Sequence, residues 1–425
     1  MNKFIITTLA QLRSQRMLTI LGIAGTALSI FLIMVVVMVH QVKILSFAPE
    51  SNRGRMLHLK YAEFTGETGS GSGNMSYSTA RALVDSISSA QAVSVMQDGC
   101  VEEIVRVPGL RKAKADMRAT DAAFWQIFDF RFLHGKPYGA AAVEAGLPEA
   151  VVSASTARRL FGTENAVGRE FGKGNMSYRV VGVVKDVSTL ADRAYSQIWV
   201  PATACPGAQG EWMDGLLGNF SAVILAHDPD GFDTIRGEFA ESVRSLNARL
   251  KHAGWEYVPL SRPYDQAMHA ETLYSNTDPD LESSRRIRML VYLVLLIVPA
   301  INLSGMTESR LRRRASEIGV RRAFGCTRGR MFAQLVGESL VITVLAGIIG
   351  WIASLIFASA MASEIFSDSW GEVTTHAPAV SIDMLVQWPI FFTALAFCFI
   401  LNFLSNSLPA WHASRSSIVS SINQQ

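Results

Sequence analysis

The residues most able to do chemistry crowd one short stretch. Residues 308–330 carry eight arginines against Glu308 and Glu317, a net charge of +6. Arg310, Arg312, Arg313 and Arg314 come first, followed by Glu317-Ile318-Gly319-Val320-Arg321-Arg322-Ala323-Phe324-Gly325. Guanidinium groups at this density make charge-assisted bonds to carboxylates or lipid phosphates, about 1.5–3 kcal/mol each where water is excluded. A short helix over 316–324, stopped by Gly325, would set Ile318, Ala323 and Phe324 as apolar contacts among those charges, a pattern that suits docking in a partner's groove.

Elsewhere the chemistry is sparse. HExxH, GxSxG and GxxxxGK[ST] are all absent, and Gly172-Lys173-Gly174 lacks the glycine spacing and hydroxyl of a phosphate loop. His58, His134, His227, His252, His269 and His376 show no i, i+4 pair and read as solvated or singly hydrogen-bonded surface groups rather than metal ligands. Glu102 and Glu103, adjacent on a strand, point to opposite sides and make a poor acid/base pair. The four cysteines, Cys100, Cys205, Cys326 and Cys398, have no CxxC spacing, which excludes a cysteine zinc site. Whether Cys100 and Cys205 pair depends on a Cα separation that sequence does not give. No catalytic or metal residue is expected, and no cofactor bound by this chain.

The elements that must position the basic stretch are membrane helices. Charged residues make up 18% of the chain and hydrophobic ones 49%, against about 25% charged in soluble domains. Four segments free of charge, 17–39, 289–307, 339–363 and 384–408, are long enough to span a bilayer. The first has a basic front like a signal peptide. Its apolar run exceeds the usual 7–15 residues and no small-x-small site follows, so it reads as an uncleaved anchor. Basic short loops stay in the cytoplasm. The basic N-terminus and the +6 loop are therefore inside, while 40–288 and the acidic loop 364–383 are outside.

The outer span reads as α+β. Gly66–Ser76 is a flexible loop or hairpin tip; a helix follows with Ser78 as cap; SASTARRLF, 153–161, is a helix ended by Gly162; 178–184 and 197–200 are strands; and 231–250 is a helix. The expected domains are 1–39 (N-terminus and first membrane helix), 40–288 and 289–425. Lobes within 40–288 fall at about 45–118 plus 225–284, with an inserted lobe at about 119–224. Small residues recur every four positions at Ala346, Gly350, Ser354 and Ala358, echoed by Gly25 and Ser29. Such spacing lets helix backbones approach closely, within one chain or across a dimer seam.

The basic stretch resembles the FtsX-like permease family, in its MacB-like branch. The family pattern R-x-x-E-I-G-x-x-R-A-x-G is matched by Arg314, Glu317, Ile318, Gly319, Arg322, Ala323 and Gly325, with Glu338 at the start of the next membrane helix. Residues 151–162, Ala166-Val167-Gly168, 178–186 and Trp199-Val200-Pro201 are similar to that family's periplasmic core domain. Phe324 and Cys326 depart from the common residues. The resemblance implies four transmembrane helices, one plus three, around a two-lobed periplasmic domain in the bacterial inner membrane, with both termini cytoplasmic. It implies docking of a separate cytoplasmic ABC ATPase, which holds the ATP and magnesium, on Glu317, Ile318, Gly319, Arg321, Arg322, Ala323, Phe324 and Gly325. It also implies a homodimer or heterodimer of permease chains that transmits movement to the periplasm for export or efflux. A periplasmic adaptor, an outer-membrane partner and membrane lipid fit that role, and nucleic acid does not.

Three alternatives are a lipoprotein-releasing permease, a cell-division regulator of a wall hydrolase and a membrane-anchored sensor. The large outer domain opposes the second. The docking loop and the absence of a long cytoplasmic output domain oppose the third.

Overall fold

The charge-free run near the N-terminus folds as one continuous helix. The computed structural model describes residues 16–67, 69–107, 109, 112–295, 297, 324–361, 392, 396, 399, 400 and 403. In it α1 spans Arg16–Ile44, five residues beyond the charge-free segment, and Ile20–Ile44 is long and apolar enough to cross a membrane. By internal contacts the described chain divides into two compact units. One is Val42–Glu282; the other takes in α1 up to Gln41 and residues from Ser283 onward.

Within Val42–Glu282, alternating apolar runs build two sheets. The strands are β1 Met56–Leu59, β2 Ala62–Gly66, β3 Gly69–Gly73, β4 Ala92–Gln97, β5 Val101–Arg106, β6 Ala113–Thr120, β7 Phe132–Gly135, β8 Glu149–Ser153, β9 Glu170–Lys173, β10 Met176–Val184, β11 Ile198–Pro201, β12 Phe220–Leu225 and β13 Trp255–Tyr257. Ten of them form one sheet in the order β1-β12-β4-β6-β11-β8-β10-β9-β5, with β7 beside β10. β5 also pairs β6, so β6-β11-β8-β10-β9-β5 close on themselves as a ring. Closure leaves these strands no free edge. β6 pairs β11 over Met117–Thr120 and β4 at Met96–Thr120. The other three strands form the sheet β13-β2-β3.

Local sequence explains the helices between them. α2, Tyr77–Val84, is capped by Ser76, whose side chain accepts the Thr79 N–H. The cap is thus two residues earlier than the expected Ser78: Ser76 is the extended residue whose hydroxyl reaches N3. The glycine-serine stretch is the expected hairpin, but residues 69–73 pair with β2 as a strand. α3 is Phe124–Ile127 and α4 Ala140–Glu144. α5, Ala154–Phe161, starts at the Ser153 cap and stops at Gly162, whose φ of 71° is left-handed. α6, Phe232–Leu250, buries Ile235, Phe239, Val243 and Leu246, one face at helical spacing. Full burial of such side chains contributes about 1.5–3 kcal/mol each. α7 is Gln266–Ala270. A second buried cluster gathers Phe124, Phe128, Tyr138 and Trp199.

Residues 281–295 are helical. α8, Arg328–Ala360, is 33 residues long and includes the second candidate span, Leu340–Ala360. It begins eleven residues before the expected position 339, because the polar stretch ahead of the apolar run also continues as helix. Residues 298–323 and most of 384–408 lie outside the described residues, and with them the end of the expected second span and most of the fourth.

Candidate functional site

The described part of the basic stretch ends at the start of α8. Thr327 is its N-cap and accepts the Arg330 N–H at 3.4 Å. Just before it, Gly325 has φ of 92°, a turn that glycine adopts without steric cost, and Phe324 is 86% exposed. The large exposed ring is ready for an apolar contact. Glu317, Ile318, Gly319, Arg321, Arg322 and Ala323 lie outside the described residues. The capped turn therefore joins the basic stretch directly to one end of a long helix.

The small-residue positions lie on α1 and α8. A Cβ on Gly350 would stand 2.6 Å from the Ala27 carbonyl oxygen and 3.1 Å from Ile30 Cβ. Ala346, Ser354 and Ala358 are buried, and Phe31 meets Phe357 edge-on at 5.3 Å. Gly25 has open space around it, and Ser29 Oγ turns back to the Gly25 carbonyl at 2.7 Å.

The C-terminal end of α1, from Val42 on, lies within the Val42–Glu282 unit. The last carbonyls of any helix lack partners within it. Here Arg53 supplies them: Nη1 donates to the carbonyls of Val42, at 2.7 Å, and Leu45, at 3.0 Å. Its Nε donates to Glu50 Oε2 at 2.6 Å, and Nη2 donates to the Leu190 carbonyl at 3.0 Å. Phe47 lies under the guanidinium, 4.3 Å from its carbon. Glu50 Oε1 in turn accepts the Ala194 N–H at 2.8 Å. Both side chains are almost fully buried. Next to this, Gln266 Nε2 donates to the Lys43 carbonyl at 2.7 Å, which leaves its Oε1 to accept from His58 Nε2 at 2.9 Å.

The approach to the helical residues 281–295 is held by the same strand region. Asp278 accepts from Tyr264 Oη at 2.7 Å, Ser261 Oγ at 2.9 Å and Ser261 N at 3.1 Å. Tyr264 exchanges both backbone hydrogen bonds with His58 of β1.

Buried charge surrounds these attachments. Arg193 pairs with Asp98 and donates to Ser221 Oγ; Asn74 donates to Asp98 at 2.8 Å, and Lys60 lies 3.8 Å from it. Burial disfavours the Asp98 carboxylate, but Lys60 and Arg193 outweigh it and hold its pKa well below the usual carboxylate range. Asp98 in turn holds Lys60 above the ordinary lysine value. His58 and His269 stack at 4.1 Å with nearly parallel rings. Burial first, and then the Arg193 charge, pushes His58 down to about 3. Burial, His58 and Arg193 hold His269 well below 6.5. Both rings are therefore neutral near pH 7. The sequence reading placed these histidines on the surface. His58 instead sits on a strand whose four residues are all buried, a signal visible in the apolar neighbours Leu57 and Leu59.

The remaining sequence candidates are dispersed. Glu102 pairs with Lys114 and Glu103 with Lys173, on opposite faces of β5 as expected. Neither Cys100 nor Cys205 is in a disulfide, and Lys173 Nζ lies 3.6 Å from Cys205 Sγ.

The MacB-like periplasmic core domain model matches residues 17–241, and the FtsX-like permease C-terminal model matches residues 289–418. This chain belongs to the MacB-like family of ABC transporter permeases. A macrolide export ATP-binding/permease protein, MacB of Burkholderia cenocepacia (strain HI2424), is 24% identical over 74% of this chain and 44% of its own length. The ABC transporter permease YknZ of Bacillus subtilis (strain 168) is 21% identical over 64% of this chain and 60% of its own length. The crystal structure of the periplasmic region of MacB from Actinobacillus actinomycetemcomitans has a TM-score of 0.34 and 16% identity, covering 48% of this chain and 89% of that one. The chain thus spans about half the length of the MacB relatives it matches. As a MacB-like permease it is a membrane ABC transporter component with an extracellular domain.

Proposed function

We propose that this MacB-like permease is a mechanotransmission subunit, which passes movement from a separate cytoplasmic ABC ATPase to its outer domain for export or efflux. The observation that carries this reading is α1 itself. One unbroken helix, Arg16–Ile44, includes a candidate span and ends inside the Arg53 cluster of the outer domain. A push delivered at its base has a rigid rod to follow and a fastened end to act on. The turn Phe324–Gly325, which opens α8, supports a docking element over Glu317–Gly325 on the cytoplasmic side. Gly319 leaves room for a partner backbone, and Arg321 and Arg322 offer bonds to its carboxylates. The working unit is a homodimer or heterodimer in the bacterial inner membrane with both termini inside, and an adaptor or outer-membrane partner would meet the outer domain. The export role named for MacB supports a small-molecule substrate class.

The test is capture of the ATPase that co-purifies with the full chain. The Gly319→Trp, Arg322→Glu double variant should insert and fold, as circular dichroism would show, yet lose the ATPase. Undiminished capture by the folded variant would reduce the basic loop to a lipid-facing topology signal.

A further inference from the structure

The Arg53 cluster fastens α1 to one segment of the outer domain, and that segment is itself a hub. Arg53 Nη2 reaches the Leu190 carbonyl, and Glu50, held by Arg53, takes the Ala194 N–H. From there the contacts lead outward. Arg118 of β6 donates to the carbonyls of Arg193, at 2.6 Å, and Asp192, at 2.9 Å. Tyr195 Oη donates to Asp116 of β6 at 2.7 Å, and Trp199 Nε1 donates to the Ala194 carbonyl at 3.1 Å. Arg193 ties the same segment to Asp98, just past β4, and to Ser221 of β12. The segment connects β10 to β11, two strands of the closed ring.

We propose that Arg53 is the positioning residue that carries movement of α1 into the outer domain, by fastening the helix's last carbonyls to residues 190–194 and through them to β6 and the strand ring. This rests on the mechanotransmission reading and names the joint that reading requires. Arginine suits the joint because its planar fork holds its N–H donors at fixed angles, and here its three nitrogens reach four acceptors: two carbonyls of the α1 end, one carbonyl of the hub and one carboxylate. A lysine ammonium on a flexible stem could not hold them together. Gln266 also grips the α1 end, at the Lys43 carbonyl, but its other contact is His58 of β1. Loss of Gln266 should therefore spare the hub.

The experiment is hydrogen–deuterium exchange on the full chain in lipid nanodiscs with its co-purified ATPase, compared between the nucleotide-free complex and the complex trapped with ATP and vanadate. The wild type should show nucleotide-dependent differences at residues 42–47 and at 190–195 together. In Arg53→Gln the difference should remain at 42–47 and disappear at 190–195, with ATPase capture and ATP turnover retained. Gln266→Ala should keep both differences. A residue that only stabilised the fold would change baseline exchange in both states and leave the nucleotide-dependent difference in place. Should Arg53→Gln fail to fold, Arg53→Lys keeps the charge and is expected to lose the difference at 190–195 as well. An undiminished difference at 190–195 in either folded variant would overturn the proposal. A wild-type complex with no nucleotide-dependent change anywhere in 42–282 would instead overturn the mechanotransmission reading, and the proposal with it.

Discussion

Gly350 lets α8 lie against the backbone of α1: a Cβ there would meet the Ala27 carbonyl oxygen at 2.6 Å, closer than real Cβ contacts come. Gly25, on the facing helix, has nothing within 4 Å of its own built Cβ. The two glycines look alike in sequence and differ in what surrounds them. Gly350→Leu should destabilise the packed helices by roughly 1–3 kcal/mol through overpacking. Gly25→Ala should be neutral or stabilising by up to about 1 kcal/mol through helix propensity. Denaturant unfolding of the detergent-solubilised chain, followed by circular dichroism, separates the outcomes. An equal loss in both variants would mean that the α1–α8 approach does not depend on Gly350.

Acid should weaken the outer domain through the buried His58. His58 stays neutral when folded, down to about pH 3, while the unfolded chain's imidazole takes a proton below about 6.5. Between these values the unfolded state binds more protons, so stability falls as pH drops through that window. From pH 6.5 to pH 4 the loss from His58 alone is about 3 kcal/mol. Arg193, Arg53 and Lys60 face both rings and oppose protonation; Gln266 alone favours it at His58. His58→Gln should flatten the pH dependence of the urea midpoint by this amount, and an unchanged slope would show that the ring titrates freely when folded.

Asp98 is expected to be among the costliest surface-to-core anchors to remove. Asp98→Ala leaves Arg193 and Lys60 without their shared anion in a buried site, a loss of about 3–5 kcal/mol. Because the folded carboxyl is depressed, its contribution is present above the unfolded value of about 3.9 and fades below it. Urea unfolding at pH 7, read by tryptophan fluorescence, should show the full loss. A change under 1 kcal/mol would mean water already screens the pair.

The thiols should sort by access. Cys205 is 3% exposed and Cys100 half-buried, and neither is in a disulfide. Maleimide should modify Cys100 in the native chain and Cys205 only after unfolding. Non-reducing mass mapping should find no Cys100–Cys205 bridge. Equal native reactivity would place the Cys205 side chain at the surface.

Much of the architecture was legible in the order of residues. The run without charge from Met17 to Val39 is long enough to cross a membrane as a helix that satisfies its own backbone, and α1 is that helix. Ser153 and Gly162 marked the ends of α5 because capping is a local affair of one side chain and one backbone angle. The pattern Glu317 to Gly325 was specific enough to name the family. Other features depend on residues far apart in the chain. Nothing near Arg53 announces that it will hold Leu190, 137 positions away, while its other donors close the end of α1. Nor does the spacing of His58 and His269 foretell a stacked pair, since their meeting depends on Tyr264 pairing with β1. Periodicity and capping report short-range forces. Burial, the pairing of charges out of water and the closure of β5 onto β6 are set by which distant strands come together, and only the tertiary structure decides that.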